Sequence, residues 1–236
     1  MNIENDVFGY HKYDGTIEFF FRLSCFIDRN HKVLDLGAGR GSWFYEDPSF
    51  IRKSLRDIKG KCKEYIGLDI DESVLDNQTT HKNFIMKENK PFPFKDKTFD
   101  VIICDYVFEH INNPEYFTNE INRVLKVGGL VCGRTPHNLN YIVMISKILP
   151  RFIHNFFIQK SQPNRKQEDI FKSYYKLNTK SMIKNYFNRY NDHSYIYVSE
   201  PTYYFSNKLI FRIFSYFHKI LPDIIVGNIF FFLIKK

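Results

Sequence analysis

A short apolar run leads directly into three closely spaced glycines in VLDLGAGRG, residues 33–41. Glycine accepts positive φ and leaves room where a Cβ would collide, so Gly37, Gly39 and Gly41 permit a sharp turn and a close approach of the backbone to a ligand. A buried strand followed by such a turn is typical of nucleotide-binding α/β folds. The segment therefore predicts a sheet with a ligand at the carboxyl end of its first strand.

Strand and helix patterns alternate along residues 15–136, which predicts a doubly wound, mostly parallel sheet with helices on both faces. The predicted strands of this part are 32–36, 64–70, 83–88, 98–107 and 130–135, and the predicted helices are 15–29, 43–59, 72–78 and 114–126. The helix at 43–59 is expected to break or to start near Pro48. The pattern changes after Pro136. There we expect helices at 140–157, 179–190 and 207–221, with strands at 194–199 and 228–234.

Two carboxylates follow the second and third predicted strands without any phosphate-binding sequence. Asp69 closes the second strand, where a carboxylate suits a ribose diol, and Glu88 closes the third, where it can reach an adenine amino group. The third glycine of a dinucleotide fingerprint would fall at Ser42, and the GK[ST] of a P-loop is absent. These features favour a phosphate-free, positively charged adenosine ligand, such as S-adenosylmethionine, over a nicotinamide dinucleotide.

A resemblance to a known family rests on four segments, VLDLGAGRG, YIGLDID, PFPFKDKTFDVIICDYVFEHI and INRVLKVGGLVCGRTPHN. In order and spacing they are similar to the motifs of class I S-adenosylmethionine-dependent methyltransferases, and most similar to the methyltransferase type 11 group. The likeness covers roughly residues 30–140. It implies a Rossmann-like sheet of about seven strands with an antiparallel last strand and C-terminal helical decoration.

The resemblance also implies which residues hold the cofactor. Asp35 would anchor the loop and the amino group of the methionine part, which residues 37–41 would wrap, and Asp69 would take the ribose hydroxyls. Glu88 stands where the family usually has aspartate near adenine, and Cys104 would offer its backbone to the methionine end. The complete implied set is Asp35, Gly37, Ala38, Gly39, Gly41, Asp69, Ile70, Glu88, Asn89 and Cys104.

Methyl transfer from a sulfonium is an in-line displacement, in which the protein mainly aligns two reactants about 3 Å apart. A hydroxyl acceptor also benefits from a general base. His110 and His137 follow the fourth and fifth predicted strands, so they are the candidate catalytic residues, with structural roles as the alternative. Asp105 and Tyr106 are lesser candidates, and Asp105 can equally cap the helix that follows it.

Some related quinone enzymes bind a metal through Glu-x-x-Glu-His. Here the first glutamate of that cluster is Tyr106, so we predict that no metal is required.

Basic and aromatic residues concentrate beyond Pro136, where residues 137–236 carry a formal charge of +10 against −2 for residues 1–136. We expect a single methyltransferase domain over 1–236, with a cofactor-binding core at 30–140. Segments 141–190 and 200–222 are expected to cover the substrate. The helix at 207–221 is broadly apolar with a basic stripe, which fits either packing against the domain or peripheral contact with a membrane.

The predicted reaction is O- or C-methylation of a small-molecule, lipid-linked or glycan acceptor. There are two alternatives. One is methylation of RNA or protein, although no base-stacking Pro-Pro-aromatic motif follows the fourth strand. The other is a noncatalytic protein that binds S-adenosylmethionine. The cysteines form no CxxC pair and no apolar run reaches about 18 residues, so we expect a cytoplasmic protein. Peripheral contact at the inner membrane face through 207–221 stays open as the alternative.

Overall fold

The computed structural model describes residues 13–148, 171–199, 201 and 207–236 of the 236-residue chain. The strands of the described part are β1 (Lys32–Leu36), β2 (Glu64–Asp69), β3 (Lys82–Ile85), β4 (Phe99–Asp105), β5 (Leu125–Pro136), β6 (Tyr190–Asp192), β7 (Tyr195–Tyr197) and β8 (Asn228–Lys235). They form one sheet in the order β3-β2-β1-β4-β5-β8-β6, and β7 also pairs with β8. The doubly wound α/β class is confirmed.

Strands β1 to β5 are parallel, and β8 runs antiparallel to β5. The expected antiparallel last strand is therefore confirmed. The described sheet has eight strands because its edge strand is divided: β6 and β7 both pair with β8, and their register is continuous across the division. At the division the Asp192 side chain accepts the Ser194 N–H at 2.8 Å, which forms a tight turn.

The helices of the described part are α1 (Gly15–Ser24), α2 (Trp43–Glu46), α3 (Phe50–Arg56), α4 (Pro114–Val124), α5 (Tyr141–Ile148), α6 (Lys180–Tyr186), α7 (Lys208–Ile220) and α8 (Asp223–Val226), with 3₁₀ turns at Glu72–Asp76 and Phe108–His110. Side-chain caps fix where several begin. Asp14 accepts from two N–H groups of α1, and Asn113 caps α4 ahead of its first-turn proline.

The break predicted near Pro48 is confirmed, since residues 43–59 contain two helices and Ser49 caps the second one. Other predicted boundaries are wrong. The third strand ends at Ile85, so Glu88 lies in the loop beyond it. Of the helix predicted over 140–157, α5 accounts for the start, and residues 149–157 lie outside the described residues.

Each face of the sheet carries its own apolar core, as alternation along β1 shows. Leu34 and Leu36 pack on one face with Phe108 and Phe231. Val33 packs on the other face with Phe19 of α1. Full burial of such side chains contributes about 1.5–3 kcal/mol each, which fixes the strand ends in place. None of the described helices combines the length and hydropathy that crossing a bilayer requires.

Candidate active site

A cavity of about 850 Å³ opens at the edge of the sheet where the parallel strands end. Open α/β sheets bind ligands in this position. The cavity has two ends, one beside the ends of β1, β2 and β3 and the other beside the ends of β4 and β5 and the start of β8. The cofactor end is lined by Gly37, Gly39, Asp69, Ile70, Glu88 and Asn89, and the acceptor end by Tyr106, Asn140, Tyr141, His218 and Asn228.

The glycine turn after β1 has the backbone geometry that the sequence predicts. Gly37 has φ +80°, and a Cβ there would collide with Cγ2 of Val107. Gly39 has φ +51°, and the space where its Cβ would stand is open and borders the cavity. The side-chain amide of Asn77 donates to the Ala38 and Gly39 carbonyl oxygens at 3.2 and 2.9 Å, which holds the turn. A ligand can thus lie directly against this backbone.

Alanine at Gly39 is expected to weaken binding of S-adenosylmethionine about tenfold or more, because its methyl group would occupy the cavity wall. Gly128 of β5 is a matched control, with φ +77°, equal space for a Cβ and a position outside the cavity wall. Both substitutions are expected to lower the free energy of unfolding by about 1 kcal/mol through φ strain. Calorimetry and urea unfolding test the pair, and equal loss of affinity in both variants would contradict the placement of Gly39.

Asp69 joins the ends of β1 and β2 at the cofactor end. Its Oδ2 accepts the Gly39 N–H at 2.8 Å and its Oδ1 accepts the Asp71 N–H at 2.9 Å. Burial raises the pKa of this carboxyl group, and the N–H donors of Asp71 and Gly39 oppose that shift. A buried carboxylate whose remaining lone pairs face a cavity suits a ligand with hydroxyl donors, such as a ribose.

The adenine side of the cofactor end is open and partly apolar. Ile70 is 46% exposed there, which leaves a flat aliphatic surface for a ring. Glu88 and Asn89 lie in the loop after β3, and Asn89 has φ +55° with its Oδ1 accepting from Asn113 Nδ2 at 3.1 Å. The structure therefore brings these residues together with Asp69, as the resemblance implies.

Four residues of the implied cofactor set lie outside the cavity wall: Asp35, Ala38, Gly41 and Cys104. Cys104 is fully buried within β4. Asp35 lies on the α1 face of β1, where its Oδ2 accepts the Tyr65 hydroxyl at 2.6 Å, and burial raises its pKa to about 6. Their cofactor contacts stay predictions.

Asparagine at Asp35 is expected to stabilise the protein near neutral pH by up to about 3 kcal/mol. The folded-state pKa of about 6 exceeds the ordinary 3.8, so the folded protein binds this proton more tightly than the unfolded chain does. The free energy of unfolding of the wild type therefore falls as pH rises from about 4 to about 6 and stays lower above that range. Asparagine is neutral throughout, and its oxygen still accepts from Tyr65.

Urea unfolding at a series of pH values measures this effect. Asp76→Asn is the control, because Asp76 is exposed at the end of a 3₁₀ turn and outside the cavity wall. The expected difference between wild type and Asp35→Asn grows from pH 4 to 6, whereas Asp76→Asn shows no such growth. A difference independent of pH would contradict the buried ionised carboxylate.

The two candidate catalytic histidines lie in different surroundings. His110 lines the cavity, and its Nδ1 lies 3.0 Å from the Lys172 carbonyl oxygen. His137 is buried outside the cavity wall, where its Nδ1 accepts the Leu139 N–H at 3.1 Å and burial lowers its pKa. The structure thus gives His137 a role in shaping the turn after β5, and the catalytic role of either histidine stays a prediction.

A cover segment, defined as residues 171–175, forms one wall between the two ends. The Glu109 carbonyl oxygen accepts the N–H groups of Tyr174 and Tyr175 at 2.7 and 3.1 Å. The Glu109 carboxylate is itself buried and accepts the Thr135 hydroxyl at 2.9 Å. This network holds the segment over the cavity, consistent with the covering role expected for part of 141–190.

Arg134 of β5 organises the floor of the acceptor end. Its guanidinium binds Asp105 with two hydrogen bonds of 2.7 Å and stands 5.0 Å from the centre of the Tyr106 ring. Burial alone would lower the pKa of Arg134, but the Asp105 carboxylate raises it above its usual range. Asp105 therefore pairs with Arg134 and does not cap the following 3₁₀ turn, which has no side-chain cap.

Sequence reasoning missed most of the acceptor end. Tyr141, His218 and Asn228 belong to elements far apart in the chain, and no local motif marks them. A usable signal existed only near Tyr106, which the third of the four motif segments places directly after β4. Its φ of +58° turns the chain sharply there, an unusual conformation for an aromatic residue.

Fold and cavity together define an α/β protein with a cavity at the edge of its sheet, in which the glycine turn and Asp69 lie beside a second, partly aromatic compartment. Residues 34–133 match the profile of a family described as "Methyltransferase domain", the type 11 group. The matched segment, which is 100 of the 236 residues, is therefore similar to the methyltransferase domains of that group. S-adenosylmethionine is accordingly its cofactor class, and the residues of the cofactor end fit it: a carboxylate for the ribose and a bare glycine backbone.

Two curated relatives show where the likeness lies. A demethylmenaquinone methyltransferase of Lactococcus lactis is 34% identical over 116 residues, covering 44% of this chain and 42% of that protein. The ubiquinone/menaquinone biosynthesis C-methyltransferase UbiE of Pasteurella multocida is 29% identical over 119 residues, covering 46% of this chain and 41% of that protein. The chain thus matches about two fifths of the length of these relatives.

A solved structure extends the fold likeness to nearly the whole chain. The SAM dependent methyltransferase from Archaeoglobus fulgidus superimposes with a TM-score of 0.55 at 16% identity, covering 99% of this chain and 98% of that one. At that identity the likeness concerns the fold alone. Among the described residues, no group of three or more His, Cys, Asp or Glu side chains is placed to hold a metal ion.

Proposed function

We propose that the protein transfers the methyl group of S-adenosylmethionine to a small-molecule or lipid-linked acceptor. The observation that carries this proposal is the single cavity that joins the glycine turn and Asp69 to a compartment of ring side chains. The two relatives are a demethylmenaquinone methyltransferase and a ubiquinone/menaquinone biosynthesis C-methyltransferase, and this supports an acceptor with a planar apolar ring.

The residues have separate tasks in this reaction. When bound, the cofactor supplies a methyl carbon activated by the adjacent sulfonium. Asp69 accepts from the ribose hydroxyls, Ile70 lies against the adenine ring, and the Gly39 backbone borders the methionine part. The cover segment excludes water, while Tyr106 and Tyr141 hold the acceptor in line with the methyl carbon. Alignment of two reactants in a dry site accounts for much of the rate of such a displacement.

Calorimetry tests the cofactor part of the proposal. S-adenosylmethionine and S-adenosylhomocysteine are expected to bind, and NADH is expected to give no heat. Binding of NADH without either of the other two would contradict the proposal and support a reductase on the same fold.

Isotopic labelling tests the acceptor part. The protein is incubated with methyl-labelled S-adenosylmethionine and a fractionated cell extract, and label is expected in the lipid or small-molecule fraction. Label in RNA or protein would support the macromolecular alternative, and binding without any transfer of label would support a noncatalytic role.

We also propose that the acceptor end faces a membrane surface. One side of α7 packs inward through Phe214, which stacks on Tyr141 with ring centroids 6.2 Å apart. The opposite side exposes a stripe of large apolar side chains, with basic residues beside it. The exposed apolar residues are Leu209, Ile213, Tyr216, Phe217 and Ile220.

Charge favours an anionic bilayer as the partner of this stripe. Arg212 and Lys219 are exposed next to it, and α5 adds the exposed Ile145 and Ile148 near the same cavity. Sedimentation with vesicles is expected to show binding to anionic but not to zwitterionic lipid, and Ile213→Ser with Ile220→Ser is expected to abolish it. Wild-type protein that stays in solution with both vesicle types would contradict membrane contact.

A further inference from the structure

Two ring side chains from different helices face each other at the acceptor end. The hydroxyl of Tyr141 in α5 lies 3.4 Å from Nε2 of His218 in α7, and the ring centroids are 5.8 Å apart. On the other side of the imidazole, Nδ1 lies 3.0 Å from the carbonyl oxygen of Ser199. All three residues line the cavity, so the pair borders the space that an acceptor would occupy.

The contacts of His218 decide where its proton sits. A carbonyl oxygen can only accept a hydrogen bond, so Nδ1 carries the proton and donates it to Ser199. Nε2 therefore holds the lone pair of the neutral ring, on the side of the Tyr141 hydroxyl. This arrangement presents a proton acceptor at the acceptor end of the cavity.

The surroundings keep His218 neutral. Burial lowers its pKa below the ordinary value, against the opposite effect of the Ser199 carbonyl oxygen. The titratable and charged groups around it are Tyr141 on α5, Lys219 on α7, and Tyr106 and Glu109 in the wall of the same cavity. Among the described residues no ion pair includes His218. The influences on its pKa are burial and the Ser199 carbonyl oxygen.

Two other histidines lie near the site. His110 also lines the cavity and has its Nδ1 3.0 Å from a carbonyl oxygen, that of Lys172, but its ring lies against the edge of Phe171 in the cover segment, whereas His218 lies beside Tyr141 at the acceptor end. His137 is buried outside the cavity wall. His218 is the histidine that the fold aims at the compartment above β5 and β8, where the acceptor lies in the proposed reaction.

We propose that His218 is a catalytic base and that the acceptor carries a hydroxyl group on an aromatic or similarly planar apolar ring. This inference rests on the proposed methyl transfer and deepens it. The acceptor O–H proton passes to His218 Nε2 while the acceptor oxygen forms a bond to the methyl carbon. The carbon–sulfur bond breaks with its electron pair remaining on sulfur, and the imidazolium afterwards releases its proton to solvent.

The shape of the acceptor end supports a ring. Tyr141 lines the cavity, and Phe214, which lies outside the cavity wall, stacks on it with an interplanar angle of 23°, so the Tyr141 ring is held flat in that wall. Val143 and Val226 add apolar surface beside that wall. A planar ring packed there would point a substituent toward Tyr141 and His218, and Tyr141 would act as a positioning residue for that hydroxyl.

The test uses 2-naphthol as a hydroxylated ring and follows transfer of labelled methyl from about pH 5 to about pH 9. Wild-type kcat is expected to fall on the acid side, because protonated His218 cannot accept a proton. His218→Gln is expected to lower kcat by about 10²–10⁴-fold and to remove that acid limb, with little change in KM. Tyr141→Phe is expected to lower kcat less and to keep the limb.

Two matched controls carry the same substitution. His193→Gln changes an exposed histidine between β6 and β7, outside the cavity wall, and is expected to leave the pH profile unchanged. His110→Gln changes the other cavity histidine and is expected to keep the acid limb. Two results overturn the assignment of the base. One is a pH profile of His110→Gln that no longer falls on the acid side. The other is a His218→Gln variant that keeps both this acid fall and the wild-type kcat.

Calorimetry with S-adenosylhomocysteine separates this inference from the function on which it rests. Wild type and His218→Gln are expected to bind that ligand equally. Wild-type protein that binds it but does not methylate 2-naphthol overturns the acceptor class while the proposed function stands. Wild-type protein that binds neither form of the cofactor overturns both.

Discussion

Asparagine in place of Asp69 is expected to weaken binding of S-adenosylmethionine by about a hundredfold or more. The carboxylate accepts the N–H groups of Gly39 at 2.8 Å and Asp71 at 2.9 Å, and it lines the cavity. Asparagine keeps the size but turns one acceptor oxygen into a donor, which opposes either an N–H group of the loop or a ribose hydroxyl. Hydrogen bonds to a charged group contribute about 1.5–3 kcal/mol each, and loss of two gives the stated factor.

Calorimetry measures this loss, and urea unfolding shows whether the variant is folded. Asp76→Asn makes the same chemical change at an exposed position outside the cavity wall and is expected to bind like wild type. If Asp69→Asn also binds like wild type, the ribose does not lie at the end of β2, and the proposed orientation of the cofactor is wrong.

Where the chain obeys local rules, the sequence predicts the fold closely. β1 is confirmed at 32–36 because an apolar run stops at glycines that take positive φ. β8 extends only one residue beyond the predicted 228–234. These strands are buried on both sides, so a continuous apolar run is sufficient to identify them.

Boundaries set by tertiary contacts were not predictable. β3 ends at Ile85 although the N–H of Met86 still donates to the carbonyl oxygen of Asp69, and Asn89 takes positive φ in the loop that follows. The divided edge strand depends on a side-chain bond of Asp192, and β6 has only three residues. Neither feature leaves a periodic pattern in the sequence.

The site divides in the same way. Motif spacing predicts that Asp69, Ile70 and Glu88 lie near one another, and they line the same cavity because the carboxyl ends of parallel strands meet at one edge. Spacing cannot tell which face of a strand a residue occupies. Asp35 shares the α1 face with Val33, and its carboxylate consequently meets Tyr65.

The acceptor end depends on contacts between distant segments. Tyr141 and His218 are 77 residues apart and meet only because α5 and α7 pack over the same cavity. Arg134 likewise reaches Thr16 of α1, 118 residues away. Contacts of this kind define the compartment, and a single sequence carries no local signal for them.

Methionine in place of Arg134 is expected to lower the free energy of unfolding by about 3–5 kcal/mol, a large share of the usual total. The guanidinium is 4% exposed, binds Asp105 twice and donates to the Thr16 hydroxyl at 3.1 Å. Methionine fills similar space but leaves the Asp105 carboxylate buried without its partner. The double variant Asp105→Asn with Arg134→Met removes both charges, so it is expected to lose less than Arg134→Met alone.

Arg22→Met is the matched control, because Arg22 makes the same kinds of contact on the surface. It binds Glu18 at 2.6 Å and lies 5.1 Å from the centre of the Tyr195 ring, but its side chain is 54% exposed. Exposed pairs contribute about 1 kcal/mol or less. Urea unfolding of the three variants tests the difference. Equal losses for Arg22→Met and Arg134→Met would mean that the buried pair does not hold α1 and Tyr106 at the acceptor end.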